Sequence, residues 1–289
     1  MFIRVVLHKS NQQQVVAMGK NLIKQSSIPL LKWRSRRIVE YTPKPPKPFR
    51  LIEPSNPRAI VMPWLSSGIK WQEICYSLRS IERFWKDKEC PIYIIGDKAP
   101  PFIKEGGRVV FIHIKEYERS NEAGLWEAWQ VGMQIADEVA WWNDDIYLLK
   151  ETGWDDLRVA LEEGDLAPDV DNLRSSTNTW QQAMGESVAE MLRQGKKEVR
   201  RFATHTPFLF ERLKSIEIFK TYHLYHKGSW VNLYHNHHQT PHTPCHPYKA
   251  TSLPAKNGER FYNHKHLGPD DKSKKILEEM FPDKAAWEK

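Results

Sequence analysis

From residue 59 onward the chain alternates short apolar runs with longer amphipathic stretches. Residues 59–62 (AIVM) read as a buried strand ending in the loop PWLSSG. Over residues 71–85 (WQEICYSLRSIERFW), Ile74, Leu78, Ile81 and Trp85 recur at helical spacing and form one apolar stripe. Residues 91–95 (PIYII) predict a second strand, followed by Gly96, Asp97 and a proline breaker, and 109–114 (VVFIHI) predict a third. A helix is expected over 123–137 and a fourth strand over 138–142. This alternation predicts an α/β domain with a mostly parallel sheet flanked by helices.

In such sheets ligands bind at the carboxyl ends of the strands. Three polar features fall there: Ser66-Ser67-Gly68, Asp97 and Asn143-Asp144-Asp145. The last lies inside EVAWWNDDIYLL (138–149), the most informative stretch of the chain. Two adjacent carboxylates behind a hydrophobic strand point to a divalent cation, because hard oxygen ligands suit Mg²⁺ or Mn²⁺ and such ions bridge carboxylates to phosphates. An Asn-Asp turn is the competing reading. Neither GxGxxG nor GxxxxGK[ST] occurs, which disfavours a dinucleotide dehydrogenase and a P-loop NTPase.

Beyond residue 149 the pattern becomes helical and irregular, with helices expected at 179–194, from 215, and at 276–280. Seven of twelve histidines concentrate between His223 and His246, where prolines predict loops. The spacing of YHNHHQTPHTPCH matches no standard zinc frame; a structural zinc, contact with an anionic acceptor and a plain polar loop all stay open. Residues 1–56 read as a basic arm with a possible strand at 2–7, a helix and a stiff proline-rich connector, YTPKPPKPF. Residues 57–250 are expected to form the main domain and 251–289 a charged extension.

Composition changes this picture in few places. With 289 residues and 40% hydrophobic content the chain can build a sizeable core. No run approaches the roughly 20 apolar residues of a membrane span, and the first residues lack the features of a secretory leader. Cys75, Cys90 and Cys245 are too few and too scattered for a disulfide framework, so a cytoplasmic protein is expected. The net charge of +7 is uneven: lysines and arginines crowd residues 20–50 and 196–201. Such groups attract nucleic acid, anionic glycan or a phosphorylated small molecule, unless they are merely a solvated face.

EICYSLRSIERFW, PIYIIGDKAPPF, RVVFIHIKEY and EVAWWNDDIYLL, in this order and spacing, resemble the central region of the Stealth family. ATHTPFLFERL (203–213) resembles that family's later histidine-proline segment. The family includes capsular polysaccharide phosphotransferases and the catalytic subunit of the lysosomal-enzyme N-acetylglucosamine phosphotransferase. The resemblance, over about residues 70–215, implies a glycosyltransferase-A-like core and a nucleotide-diphospho-sugar donor. It also implies that Asp144 and Asp145 hold the metal and diphosphate, with Asn143 beside them, Arg79 facing the phosphates and His205 at the reacting centre. The family's opening motif, a Tyr-Thr-Trp-Val-(Asp/Asn)-Gly run, is replaced by MPWLSSG, in which only Trp64 and Gly68 correspond. The acid near that turn is missing, so the expectation shifts from sugar-phosphate transfer toward transfer of the sugar alone.

The chemistry needs few groups. A metal and a cationic side chain neutralise the departing diphosphate. Arg79 and Arg83 lie one helical turn apart, and a guanidinium fork matches phosphate oxygens; pairing with a surface acid such as Glu82 is the alternative. His205 has the ordinary pKa range of a general base toward an acceptor hydroxyl. Asp97 is suited to a ribose or to a turn, Ser66 lies in the loop after the first strand, and Glu127 lies on the helix before the fourth. Asp171 and Arg174 are further polar candidates. Of the tryptophans near the proposed cleft (Trp126, Trp129, Trp141, Trp142, Trp154), one or two are expected to stack on ligand.

The sequence thus points first to a metal-dependent glycosyltransferase using Mn²⁺ or Mg²⁺ and a nucleotide-sugar donor. Its acceptor is a hydroxyl on a glycan or on modified-base DNA. A Stealth-type sugar-phosphate transferase and a non-catalytic nucleic-acid- or glycan-binding module are the alternatives.

Overall fold

The run NPRAIVMPW forms β1 (Asn56–Trp64), buried from Ala59 onward. A strand this apolar on consecutive residues needs cover on both faces, and it lies inside a sheet. α1 (Glu73–Phe84) leads from it to β2 (Ile92–Gly96), which pairs with β1 in parallel, and β3 (Val109–His113) adds in parallel beyond β2. α2 (Asn121–Ile135) then crosses back, so that β4 (Ala136–Trp141) pairs in parallel with the other edge of β1. After β5 (Ile146–Leu148), β6 (Ala160–Glu162), α3 (Val170–Arg174) and α4 (Thr179–Arg193), β7 (Phe208–Glu211) joins β4 antiparallel. The sheet order is β3-β2-β1-β4-β7. The architecture is α/β, with a mostly parallel sheet flanked by helices, as the alternation predicts.

These features come from a computed structural model, which describes residues 54–68, 71–104, 107–115, 120–245, 253, 259–264 and 268–289. The N-terminal basic cluster, the strand and helix expected before residue 41 and the proline-rich connector lie outside them. All described residues belong to one compact unit, Arg50–Lys289. No helix among them is long and apolar enough to cross a membrane.

Boundaries shift by a few residues where capping decides. α2 stops at Ile135 because Ala136 turns extended, and β4 follows with no loop, two residues earlier than the apolar run suggests. The histidine-rich stretch, expected to be loops, contains a helix. α5 (Arg212–Thr221) is followed by α6 (Trp230–His237), then by the short strand β8 (His242–Pro244). Trp230, Val231, Leu233 and Tyr234 are buried, and that apolar face holds the helix together despite its histidines.

Serines of α1 fix the segment that follows the carboxylates. Ser77 Oγ donates to the Ile146 carbonyl at 2.6 Å, and the Leu148 N–H donates to Ser80 Oγ at 2.9 Å. β5 also pairs antiparallel with β9 (Phe261–Asn263). The C-terminal helix α7 (Asp271–Met280) is capped by Asp270, whose carboxylate accepts from Ser273 N–H at 2.7 Å. Leu277, Phe281 and Trp287 join the same core as α1 and β2.

Two residues carry predictions about this framework. A Cβ on Gly96 would meet the Trp64 carbonyl oxygen at 2.2 Å, so Gly96→Ala forces the β1–β2 register apart beside the cleft; loss of cooperative thermal unfolding is expected. His235 sits among Phe202, Phe208, Phe210 and Tyr234, with Nδ1 3.1 Å from Thr240 Oγ1. Burial, helped by nearby His238, lowers its pKa from the ordinary 6.5 to about 3. The unfolded chain therefore takes up this proton first, and stability is lost as pH falls from about 6.5 toward 3. Relative to His235→Leu, the urea midpoint of the native chain should decline across that range.

Candidate active site

The strand order reverses between β1 and β4: the chain moves from β1 out to β3, then returns to the other side of β1. Ligands of open α/β sheets bind at such a switch point, beyond the carboxyl ends of the strands. A cleft of about 430 Å³ opens there. β1 delivers Pro63, Trp64, Leu65 and Gly68, while β4 delivers Trp141, Asn143, Asp144 and Asp145. The walls come from Asn121 and Leu125 of α2, Trp180 of α4, His205 and Phe208 before and on β7, and Trp230 of α6. Asn178 caps α4 by accepting from the Trp180 and Gln181 N–H groups at 3.0 and 3.2 Å, which holds Trp180 at the rim.

Asn143, Asp144 and Asp145 are each half-buried. Crowding desolvates the Asp144 carboxyl, and Asp145 and Glu73 repel its charge; the pKa lies well above the ordinary carboxylate range despite backbone hydrogen bonds that favour the anion. Tyr147 feels the same field: burial and then Asp145, Glu73 and Asp144 push its phenol upward. Its hydroxyl and Asn263 Oδ1 are buried with no hydrogen-bond partner among the described residues. A concentration of carboxylates that burial keeps from ionising freely, beside buried neutral oxygens, is a donor set for a hard divalent cation. The residues present fit Mg²⁺ or Mn²⁺.

His205 lines the same cleft with φ at 53°, in the left-handed region that non-glycine residues rarely occupy. Its surroundings impose that conformation. Asn263 Nδ2 donates to the His205 carbonyl, and the flanking Thr204 and Thr206 hydroxyls bond each other at 2.8 Å. Strain of this kind is held where the fold over-determines a position, commonly at functional sites.

The fold brings Trp64, Gly68, Asn143, Asp144, Asp145 and His205 together and leaves other candidates elsewhere. Ser66 and Asp97 pair with each other: Ser66 N–H and Oγ donate to the two Asp97 oxygens at 2.8 and 2.6 Å, which ties the loop after β1 to the end of β2. Arg79 points into the C-terminal segment. Its Nε and Nη2 donate to Glu288 at 2.6 Å each, Nη1 donates to the Phe281 carbonyl, and the guanidinium covers Tyr76. Arg83 donates to the Met280 carbonyl and packs over Phe84. Glu127 contacts Gln130 on α2 and does not line the cleft. Arg174 pairs with Glu186 at 2.9 Å. Of the tryptophans expected near the cleft, Trp141 lines it; Trp129, Trp142 and Trp154 pack in aromatic clusters.

Sequence reasoning missed Glu73, Asn121, Tyr147, Trp180, Trp230 and Asn263. Glu73 reads as an ordinary first-turn acid, yet it is buried and accepts from Trp71 N–H at 2.7 Å. The others lie 22 or more residues from the carboxylates or inside apolar runs, where spacing carries no signal.

No protein-family model matches the chain, and no curated protein matches its sequence. Among solved structures, the chain is similar to an active-site mutant of LgtC, with a TM-score of 0.41 and 11% identity, covering 77% of this chain and 94% of that one. It is also similar to the galactosyltransferase LgtC in complex with donor and acceptor sugar analogues, with a TM-score of 0.30 and 12% identity, covering 48% of this chain and 67% of that one.

Proposed function

We propose that this chain is a glycosyltransferase of glycosyltransferase-A-like architecture that uses a nucleotide-diphospho-sugar donor and Mn²⁺ or Mg²⁺. The observation that carries the reading is the pair Asp144–Asp145 at the switch-point cleft, with Glu73 behind it and the Asp144 pKa raised. These two carboxylates would hold the ion, which when bound supplies positive charge to a leaving diphosphate. Asn143, Gly68 and the backbone after β1 are available to the nucleotide. Trp180, half-exposed at the rim, offers an aromatic face to a sugar, while the buried Trp64, Trp141 and Trp230 back the cleft. His205, which lines the same cleft, would accept a proton from an acceptor hydroxyl.

Transfer of the sugar alone is favoured over Stealth-type sugar-phosphate transfer, because the loop after β1 carries Ser66 and Ser67 where that family's acid lies. A polyhydroxyl acceptor such as a glycan is favoured over DNA, since the second basic group is partly neutralised internally. Arg200 pairs with Glu198 at 2.7 Å and Arg201 with Glu163 at 3.2 Å.

The test incubates the protein with a panel of nucleotide sugars and Mn²⁺ and identifies the nucleotide released. A nucleoside diphosphate is expected from one donor. A monophosphate would shift the assignment to sugar-phosphate transfer. Absence of both release and metal-dependent donor binding, with folded protein, would leave a binding module.

A further inference from the structure

Among the described residues, none of the clustered histidines lines the cleft. Two of them meet an acid from another helix. His237 ends α6, His238 follows as its cap, and Glu217 lies on the second turn of α5. His237 Nε2 is 3.1 Å from Glu217 Oε1, and one ligand atom from each of the three residues lies within 4.8 Å of the others. Zinc bonds of about 2.0–2.2 Å in a tetrahedron separate ligand atoms by roughly 3.3–3.5 Å. The His237–Glu217 pair is already near that spacing. Glu217 is 56% exposed and free to rotate for the rest.

The other ring nitrogens are held as metal-binding imidazoles usually are. His237 Nδ1 lies 3.1 Å from the Tyr222 hydroxyl. His238 Nε2 lies 3.1 Å from the Lys214 carbonyl. A carbonyl only accepts, so this nitrogen carries the proton and Nδ1 keeps its lone pair. The Lys214 ammonium, whose charge acts on His238, is drawn to Glu211 at 2.6 Å.

We propose that Glu217, His237 and His238 bind a zinc-class divalent ion, separate from the carboxylate site of the cleft, and that this ion clamps α5 to α6 with a coordination position open to solvent. Two imidazoles and one carboxylate select Zn²⁺, Co²⁺ or Ni²⁺ over Mg²⁺, whereas the all-oxygen pair Asp144–Asp145 suits the harder ions.

The experiment titrates the untagged, metal-stripped protein with Zn²⁺, and with Co²⁺, in excess Mg²⁺ that occupies the carboxylate site. One equivalent of Zn²⁺ should bind, and Co²⁺ should give the intense visible absorption of a tetrahedral nitrogen–oxygen site. Glu217→Gln and His237→Ala should each weaken binding by more than about 100-fold, and Tyr222→Phe by about 10-fold, as loss of an outer-shell partner does. Asp144→Asn should leave Zn²⁺ binding unchanged. Glu217→Gln is a surface change, and its melting curve in chelator reports whether the fold is intact. Zn²⁺ binding that survives Glu217→Gln together with His237→Ala, or that is lost in Asp144→Asn instead, would overturn the assignment and leave a simple Glu–His ion pair.

Discussion

Asp145→Asn is expected to lower donor turnover by at least about 10³-fold, equivalent to roughly 4 kcal/mol of transition-state stabilisation. In the proposed reaction the reason is electrostatic: one carboxylate fewer would weaken the hold on the cation that a leaving diphosphate needs. The companion variant Asp144→Asn gives a second, independent readout in the metal-free protein. The Asp144 pKa is raised in the fold from an ordinary value of 3.8, first by desolvation and then by Asp145 and Glu73. A group shifted upward contributes stability below its unfolded pKa and loses it as pH rises through the folded value. Relative to Asp144→Asn, the metal-free native chain should therefore lose stability as pH rises from about 3.8 through that raised value. Mn²⁺ at about 100 times its Kd should restore about 2.7 kcal/mol at neutral pH in the native chain and little in Asp144→Asn. Thermal melts against pH, with and without Mn²⁺, read both effects. A native chain whose pH profile matches that of Asp144→Asn and that ignores Mn²⁺ would remove the metal from the proposed function.

Glu288→Ala is expected to cost about 3–5 kcal/mol of folding stability, read as a lowered urea midpoint. The pair is well enclosed, with side chains 11% (Arg79) and 4% (Glu288) exposed. Arg79 is held in its charged form chiefly by hydrogen bonds to Glu288. Burial works against the Glu288 anion, yet bonds from Arg79, the Ala285 N–H and Cys75 lower its pKa overall. Deleting the carboxylate strands a guanidinium inside the core that α1 shares with Phe281 and Trp287. Replacing both partners, as Arg79→Met with Glu288→Leu, should recover most of the loss, because an apolar pair needs no compensation for desolvation. This double variant also decides what Arg79 does. Full turnover at a temperature where it is folded assigns the arginine to the C-terminal clamp; a large fall in turnover would assign it to the donor phosphates.

Arg79 illustrates the limit of reading a chain in one dimension. Its position on α1 was legible, and so was its distance from the apolar stripe. Its partner lies 209 residues away, where no periodicity leads. Ser66 and Asp97 behave alike: each falls at the carboxyl end of a strand as expected, but they satisfy each other across parallel neighbours. His205 was legible only through the family resemblance, and its left-handed backbone was not legible at all. The apolar run before Asn143-Asp144-Asp145 was different, because a buried strand must end somewhere and its first polar residues must face the sheet's edge.

The sequence by itself determined the α/β alternation, the strand that delivers the two carboxylates and the hardness of the cation they suit. Those properties are local: they follow from side-chain period, burial demand and oxygen chemistry within a dozen residues. Tertiary structure alone decided that Asp144 shares its field with Glu73, that Trp180 and Trp230 wall the cleft, and that Arg79 is committed to Glu288. It also decided that Glu217 meets His237 and His238. Each of these depends on long-range closure of the chain, where burial sets the strength of a charge and packing sets which distant group answers it.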